Sequence, residues 1–370
     1  MNIYVLDSNF QRLSPVVDVY ESFIWTERYD KAGEFELVVP AMDIWLNLLK
    51  KDRYLEINES DYTMIIETIE LDTDIENGAN LTITGRSLES FLDRRIIWGQ
   101  VDCNGDFQNQ IQKLLNLNAI SPSDSNRKIP NLVFEASTDS AITNLTIDTQ
   151  FTGDNLYDTI CDLCKKNHIG WYIKKNDAGN MVFKLYSGVR RTHDQTAVPE
   201  VIFSPSFSNL INTKYVKSET QLKNVTLVGG EGEGNERKYV SVGSGSGLSR
   251  REVFTDARSV SSKVTDDNGK SKDLTAEEYN SKLTDKGNET LGKNVATTTF
   301  DGEVQSQIQW KFRKDYFVGD VVQIENEFGI KGTTRIIECA ISDDNQNGYQ
   351  LVPTFESDED ENKNNEVEES

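Results

Sequence analysis

Two separated stretches of the chain each carry three short apolar runs separated by turns, the pattern of short strands. Near the C-terminal end this predicts three short strands, at residues 316–324, 334–342 and 349–355. Near the N-terminal end residues 53–57, 64–72 and 80–85 give three more. The central strands share an Ile-Ile-Glu core, Ile65-Ile66-Glu67 and Ile336-Ile337-Glu338, at similar distances from the strand that follows. Two copies of one three-strand unit thus bracket the rest of the chain.

The remaining pattern fills in around them. Strands open the chain, and in residues 34–40 Phe35, Leu37 and Val39 share one face. Ile44, Trp45, Leu48 and Leu49 recur at helical spacing and predict a short helix that plugs one end of the first module. Leu88, Phe91 and Leu92 predict a helical turn leading out of it. Two further helices carry the stripes Phe107, Ile111, Leu114, Leu115 and Leu156, Ile160, Leu163, Cys164, the second capped by Asp154. A hairpin at 170–186 follows, and then strands up to residue 264. Thr275-Ala276-Glu277-Glu278 is a capping box opening a helix over 275–292.

The predicted fold class is therefore β-rich α+β, with two related β-barrel-like modules bracketing a small α+β insertion. Residues 1–98, with strands from 196–222, form the first barrel, and 99–195 form the insertion. Residues 223–355 form the second barrel with helix 275–292 on it, and 356–370 are a disordered acidic tail.

Charge narrows the partners. The chain of 370 residues has 39 basic and 61 acidic side chains, a net of −22, which disfavours gripping nucleic acid or anionic membranes. No apolar run is long enough to span a bilayer, and Met1 opens into strand-like sequence without a signal core. Synthesis in a cytoplasm without secretion is expected. Cys103, Cys161, Cys164 and Cys339 are too scattered for a disulfide framework and are expected as reduced thiols.

Candidate chemistry is sparse. Cys161-x-x-Cys164-x-x-x-His168 has metal-like spacing, completed on paper by Cys103 or His193, but Cys164 falls on an apolar helix stripe, so packing thiols are the preferred reading. Nucleophilic catalysis would have to use His168 or His193, and neither lies in a recognisable motif. Asp343-Asp344-Asn345-Gln346-Asn347-Gly348 matches half a calcium loop but has Thr354 where a bidentate Glu is needed, so a hairpin turn is preferred. The glycine run 229–234 joins two strands and opens no helix, which favours a mobile hairpin tip over a phosphate loop. Catalytic, cofactor and metal residues are accordingly expected to be none.

Three segments carry a family resemblance: Tyr29-Asp30-Lys31-Ala32-Gly33-Glu34-Phe35-Glu36-Leu37, Thr84-Gly85-Arg86-Ser87-Leu88-Glu89-Ser90-Phe91-Leu92, and Tyr316-Phe317-Val318-Gly319-Asp320-Val321-Val322 with Pro353-Thr354-Phe355. In this order they resemble the tail-hub, or tail-associated (Tal-type) baseplate hub, proteins of long-tailed bacteriophages. The resemblance implies a non-enzymatic virion component at the tail tip. It implies a homotrimeric ring that adapts a hexameric distal tail protein to a threefold tip, closes the channel around the tape-measure protein, and lets genomic DNA pass on infection. Receptor-binding or tip proteins below are further implied partners, and membrane insertion is not. Many such relatives carry a cell-wall-degrading or receptor-binding extension. This chain ends in its acidic tail after the second module, which argues against enzymatic activity. The competing readings are a cell-wall carbohydrate- or receptor-binding tail protein, with tryptophans as a platform although Trp25, Trp45 and Trp171 read as core, and a peptidoglycan-degrading lysin.

Overall fold

Strand pairing follows the alternating pattern closely. In the computed structural model, which describes residues 1–74, 78–234, 237–265, 271–304 and 309–357, eleven of the strands among the described residues belong to one sheet. Its N-terminal part orders Ile3–Leu6, Tyr54–Ile57, Met64–Asp74, Gly78–Ser87, Glu34–Pro40 and Ser22–Arg28, all antiparallel. Its C-terminal part continues through Lys331–Asp344, which carries Gly348–Ser357 along one side and Val321–Glu325 beyond Ser22–Arg28 on the other.

The two expected barrels are therefore not separate closed barrels. Ser22–Arg28 uses both of its edges, one for Glu34–Pro40 and one for Lys331–Asp344. A strand shared in this way ties the two modules into one open path. The inward residues Phe23, Trp25, Phe35 and Leu37 accordingly share a core with Ile336, Cys339 and Ile341. Gly85 has a specific role there. A Cβ at that position would lie 1.8 Å from the carbonyl oxygen of Ile65, and the Phe35 ring covers the space instead.

The insertion has its own core. Gly170–Lys175, Met181–Tyr186 and Leu132–Glu135 make a three-stranded sheet, with Gln100–Asp106 paired to Thr146–Thr152 nearby in sequence. Helices Phe107–Leu115 and Leu156–Lys166 bury the predicted stripes, including Ile111, Leu114, Leu156, Ile160 and Cys164. The second helix is capped by Asn155, not Asp154: its side chain accepts from the amides of Tyr157 and Asp158, while Asp154 accepts from Thr152.

The chain divides into two compact units, and residues 223–355, expected as one module, fall partly in each. One unit holds residues 1–213 and the chain from 300 onward through the last described strand; the other holds 214–299. Ile202–Phe203 runs parallel to Val321–Glu325, and Phe203 joins the core that holds Phe23 and Leu37. In the second unit Val225–Gly229 lies between Tyr239–Gly243 and Glu252–Asp256. Helix Ala276–Gly292, with the predicted capping box at Thr275 and Glu278, packs Tyr279 and Leu283 on this small sheet through Val228 and Val242. Most of the acidic tail, residues 358–370, lies outside the described residues.

Candidate assembly interface

The internal repeat is visible in the hydrogen-bond register. Met64–Asp74 and Gly78–Ser87 form a hairpin closed by the pair Asp74–Gly78, with Glu67 bulged between Ile66 and Thr68. Lys331–Asp344 and Gly348–Ser357 form another, closed by Asp344–Gly348, with Ile337 bulged between Ile336 and Glu338. Asp74 and Asp344, Glu67 and Ile337, and Gly85 and Phe355 each stand 270 residues apart. The first strand of each unit repeats as well, Tyr54 and Leu55 meeting Ile65 and Met64 as Val321 and Val322 meet Arg335 and Thr334. The Ile-Ile-Glu letters that point to the repeat are one residue out of this register. A bulge absorbs one residue, so the same letters serve different positions in the two copies.

The copies differ in what covers them. In the C-terminal hairpin the segment 338–344 is paired along its outer side by Ser22–Arg28, and Cys339 and Ile341 are both 0% exposed. The equivalent segment 68–74 has no partner on that side among the described residues, and Leu71, the counterpart of Ile341, is 52% exposed. The reverse holds for the return strands. Gly78–Ser87 is covered by Glu34–Pro40, whereas Gly348–Ser357 pairs only with Lys331–Asp344 among the described residues and leaves Val352 at 40% exposure. Each copy lacks the neighbour that the other has. Unpaired edges of this length are templates for another strand. Pro353 removes one donor from the second edge, so its ladder has a gap.

Charged groups pin the seam between the copies. Arg28 donates through Nε to Glu338 at 2.6 Å and also pairs with Glu34, spanning three strands. Glu27, nearly fully buried, accepts from Arg313 at 2.7 Å and from the Ser60 hydroxyl at 2.5 Å. Burial pushes its carboxyl above the usual range, opposed by the Arg313 guanidinium. The amino terminus of Met1 lies 3.4 Å from Asp343, which also accepts the Tyr20 hydroxyl at 2.5 Å. These pairs tie the N-terminal segment of the chain to its C-terminal segment, Met1 to Asp343, Arg28 to Glu338 and Glu27 to Arg313.

The sequence-flagged chemistry is dispersed. Cys103 and Cys164 sit in the core of the insertion, and Cys339 in that of the large sheet. Burial pushes the Cys161 thiol up to about 12 and those of Cys164 and Cys339 well above their ordinary value, which disfavours the thiolate. His168 gives its backbone carbonyl to the Tyr29 hydroxyl, and His193 Nδ1 meets Gln323 at 2.6 Å. Among the described residues no three His, Cys, Asp or Glu side chains gather in metal-binding array. Asp344 caps its own turn by accepting from the amides of Gln346 and Asn347, and the strands on either side of the 229–234 glycine run pair antiparallel. Trp25, Trp45 and Trp171 are buried. The uncovered edges had no separate signal in the sequence, since Leu71 and Ile341 look alike there.

The comparisons agree with this architecture. A family model described as siphovirus ReqiPepy6 Gp37-like protein matches residues 2–355. No curated protein matches the sequence significantly. Among solved structures, a tail protein from Neisseria meningitidis MC58 is similar with a TM-score of 0.59 at 14% identity, covering 97% of each chain. The 43 kDa tail protein of prophage MuSo2 from Shewanella oneidensis gives 0.58 at 14% identity, over 96% of this chain and 98% of that one. Prophage tail protein gp18 from Listeria monocytogenes EGD-e gives 0.54 at 12% identity, over 96% and 95%. At these identities the likeness is one of fold.

Proposed function

The chain belongs to the siphovirus ReqiPepy6 Gp37-like family and has the fold of phage tail proteins, and from that premise we propose that it is a structural tail-tip hub. Copies of the chain join edge to edge into a ring around the tail channel. The observation that carries the proposal is the pair of strand edges that have no ladder partner among the described residues, 68–74 in one repeat and the outer side of the strand ending at Ser357 in the other. Two similar units per chain, repeated around a threefold axis, present six similar faces. A trimer of this kind seats on a hexameric distal tail protein and offers a threefold surface to tip proteins below. Its channel holds the tape-measure protein and passes the genome on infection, in the virion and without membrane insertion. The barrel-like character expected for each repeat belongs to this assembled ring, in which neighbouring copies complete what is open in one chain.

Leu71→Asp and Val352→Asp test the assembly. Each adds a charge to one edge while leaving the buried core alone, and each should abolish self-association with little change in thermal stability. Unaltered oligomer mass in both variants would remove the edge-pairing reading.

A further inference from the structure

Independently of assembly, we propose that a groove beside the insertion binds a phosphate-bearing ligand, with Arg94 and Arg95 holding the anion and Phe10, Tyr54 and Phe91 supporting its ring. The groove is about 250 Å³ and among the described residues no acidic one lines it, on a chain in which acids outnumber bases by 61 to 39. Its floor is a continuous aromatic surface. Phe10 and Tyr54 lie 4.6 Å apart between ring centres, Tyr54 and Phe91 6.4 Å, and the Arg94 guanidinium sits 4.7 Å over Phe91.

The arginines are fixed without being neutralised. Arg95 donates through Nε to the carbonyl of Arg127 at 2.6 Å and through Nη1 to that of Arg94 at 2.8 Å. Arg127 donates through Nη2 to the Ile96 carbonyl at 2.7 Å and to Asn118 at 3.2 Å, and stacks 4.9 Å over Trp98, which is 69% exposed. Among the described residues neither Arg95 nor Arg127 forms an ion pair, and Arg94 has only a 3.9 Å approach to the exposed Asp52. Burial, and then Arg127 and Arg94, hold the Arg95 guanidinium below its usual range, consistent with cations crowded together. Neutral carbonyls orient such forks but leave their charge to be met from outside. A phosphate dianion meets it best, having three acceptor oxygens for planar guanidinium donors. The aromatic floor supplies the apolar contact that inorganic phosphate alone cannot use.

Calorimetric titration of the full chain with phenyl phosphate, inorganic phosphate and phenol tests this. Phenyl phosphate is expected to bind saturably and about tenfold or more tighter than either fragment, and to weaken with added salt. Arg94→Gln and Arg95→Gln should each lose about tenfold or more, Arg95→Lys should lose less, and Phe91→Leu should bring phenyl phosphate down to the level of inorganic phosphate. Adenosine monophosphate should bind more tightly than glycerol phosphate; the reverse order overturns the role of the floor. Absence of saturable phenyl phosphate binding, or equal affinity in the Gln variants, overturns the site. Should Arg95→Gln fail to fold, Arg94→Gln, whose exposed side chain lies over Phe91, decides the matter.

Discussion

At the residue scale the clearest consequence concerns Glu89, which is 1% exposed at the start of the 3-10 turn Leu88–Arg94. One carboxylate oxygen accepts from the Ile173 amide at 2.9 Å, and the other makes no hydrogen bond among the described residues. Burial raises its pKa from 4.5 to about 7. The folded chain therefore binds this proton more tightly than the unfolded one, and the stability so gained is present below about pH 4.5 and lost as pH rises to about 7. Glu89→Gln should remove that loss, leaving the variant more stable near pH 8 by roughly 2–3 kcal/mol. Denaturant melts at several pH values would show it; parallel pH dependence in both proteins would refute it. Trp25, wholly buried between the copies, is the large core residue to truncate, and Trp25→Ala should cost about 3–5 kcal/mol in the same assay.

At the element scale, what was legible in the sequence was whatever depends on local period. Phe35, Leu37 and Val39 alternate in sequence and are 2%, 0% and 0% exposed. The insertion helices bury the stripes their spacing predicts, and the Thr275 capping box forms with both reciprocal hydrogen bonds. Thr275→Ala should cost about 1 kcal/mol, measurable as a fall in the thermal midpoint, while an unchanged midpoint would mean the cap contributes nothing. What was not legible depends on which strand lies beside which. The register of the repeat is set by bulges at Glu67 and Ile337 that no letter announces. The modules fuse because Ser22–Arg28 offers two edges, and alternation says which face is buried but nothing about edges. The groove was missed for a similar reason. Its lining comes from distant parts of the chain, Phe10, Tyr54 and Phe91 meeting Arg94, Arg95 and Met181.

At the scale of the whole molecule, charge and assembly meet. A net of −22 is a poor surface for holding DNA, and under the proposed ring it suits a channel that lets DNA slide. Under the ring proposal, replacing lumen-facing carboxylates with amides should slow genome ejection, followed by dye entry from purified phage. Unchanged ejection kinetics would detach the acidity from the channel. The family resemblance was carried by three short segments, and the family match over residues 2–355 bears it out. Edge-to-edge closure rests on the inequality of the two repeats, where Ile341 is covered and Leu71 is not. The most direct test is the solution mass of the purified chain by light scattering over a dilution series. The account predicts a species near 126 kDa, three times 41.9 kDa, that Leu71→Asp reduces to the single chain. A mass of 41.9 kDa at every concentration, the same in the parent and the variant, would contradict it.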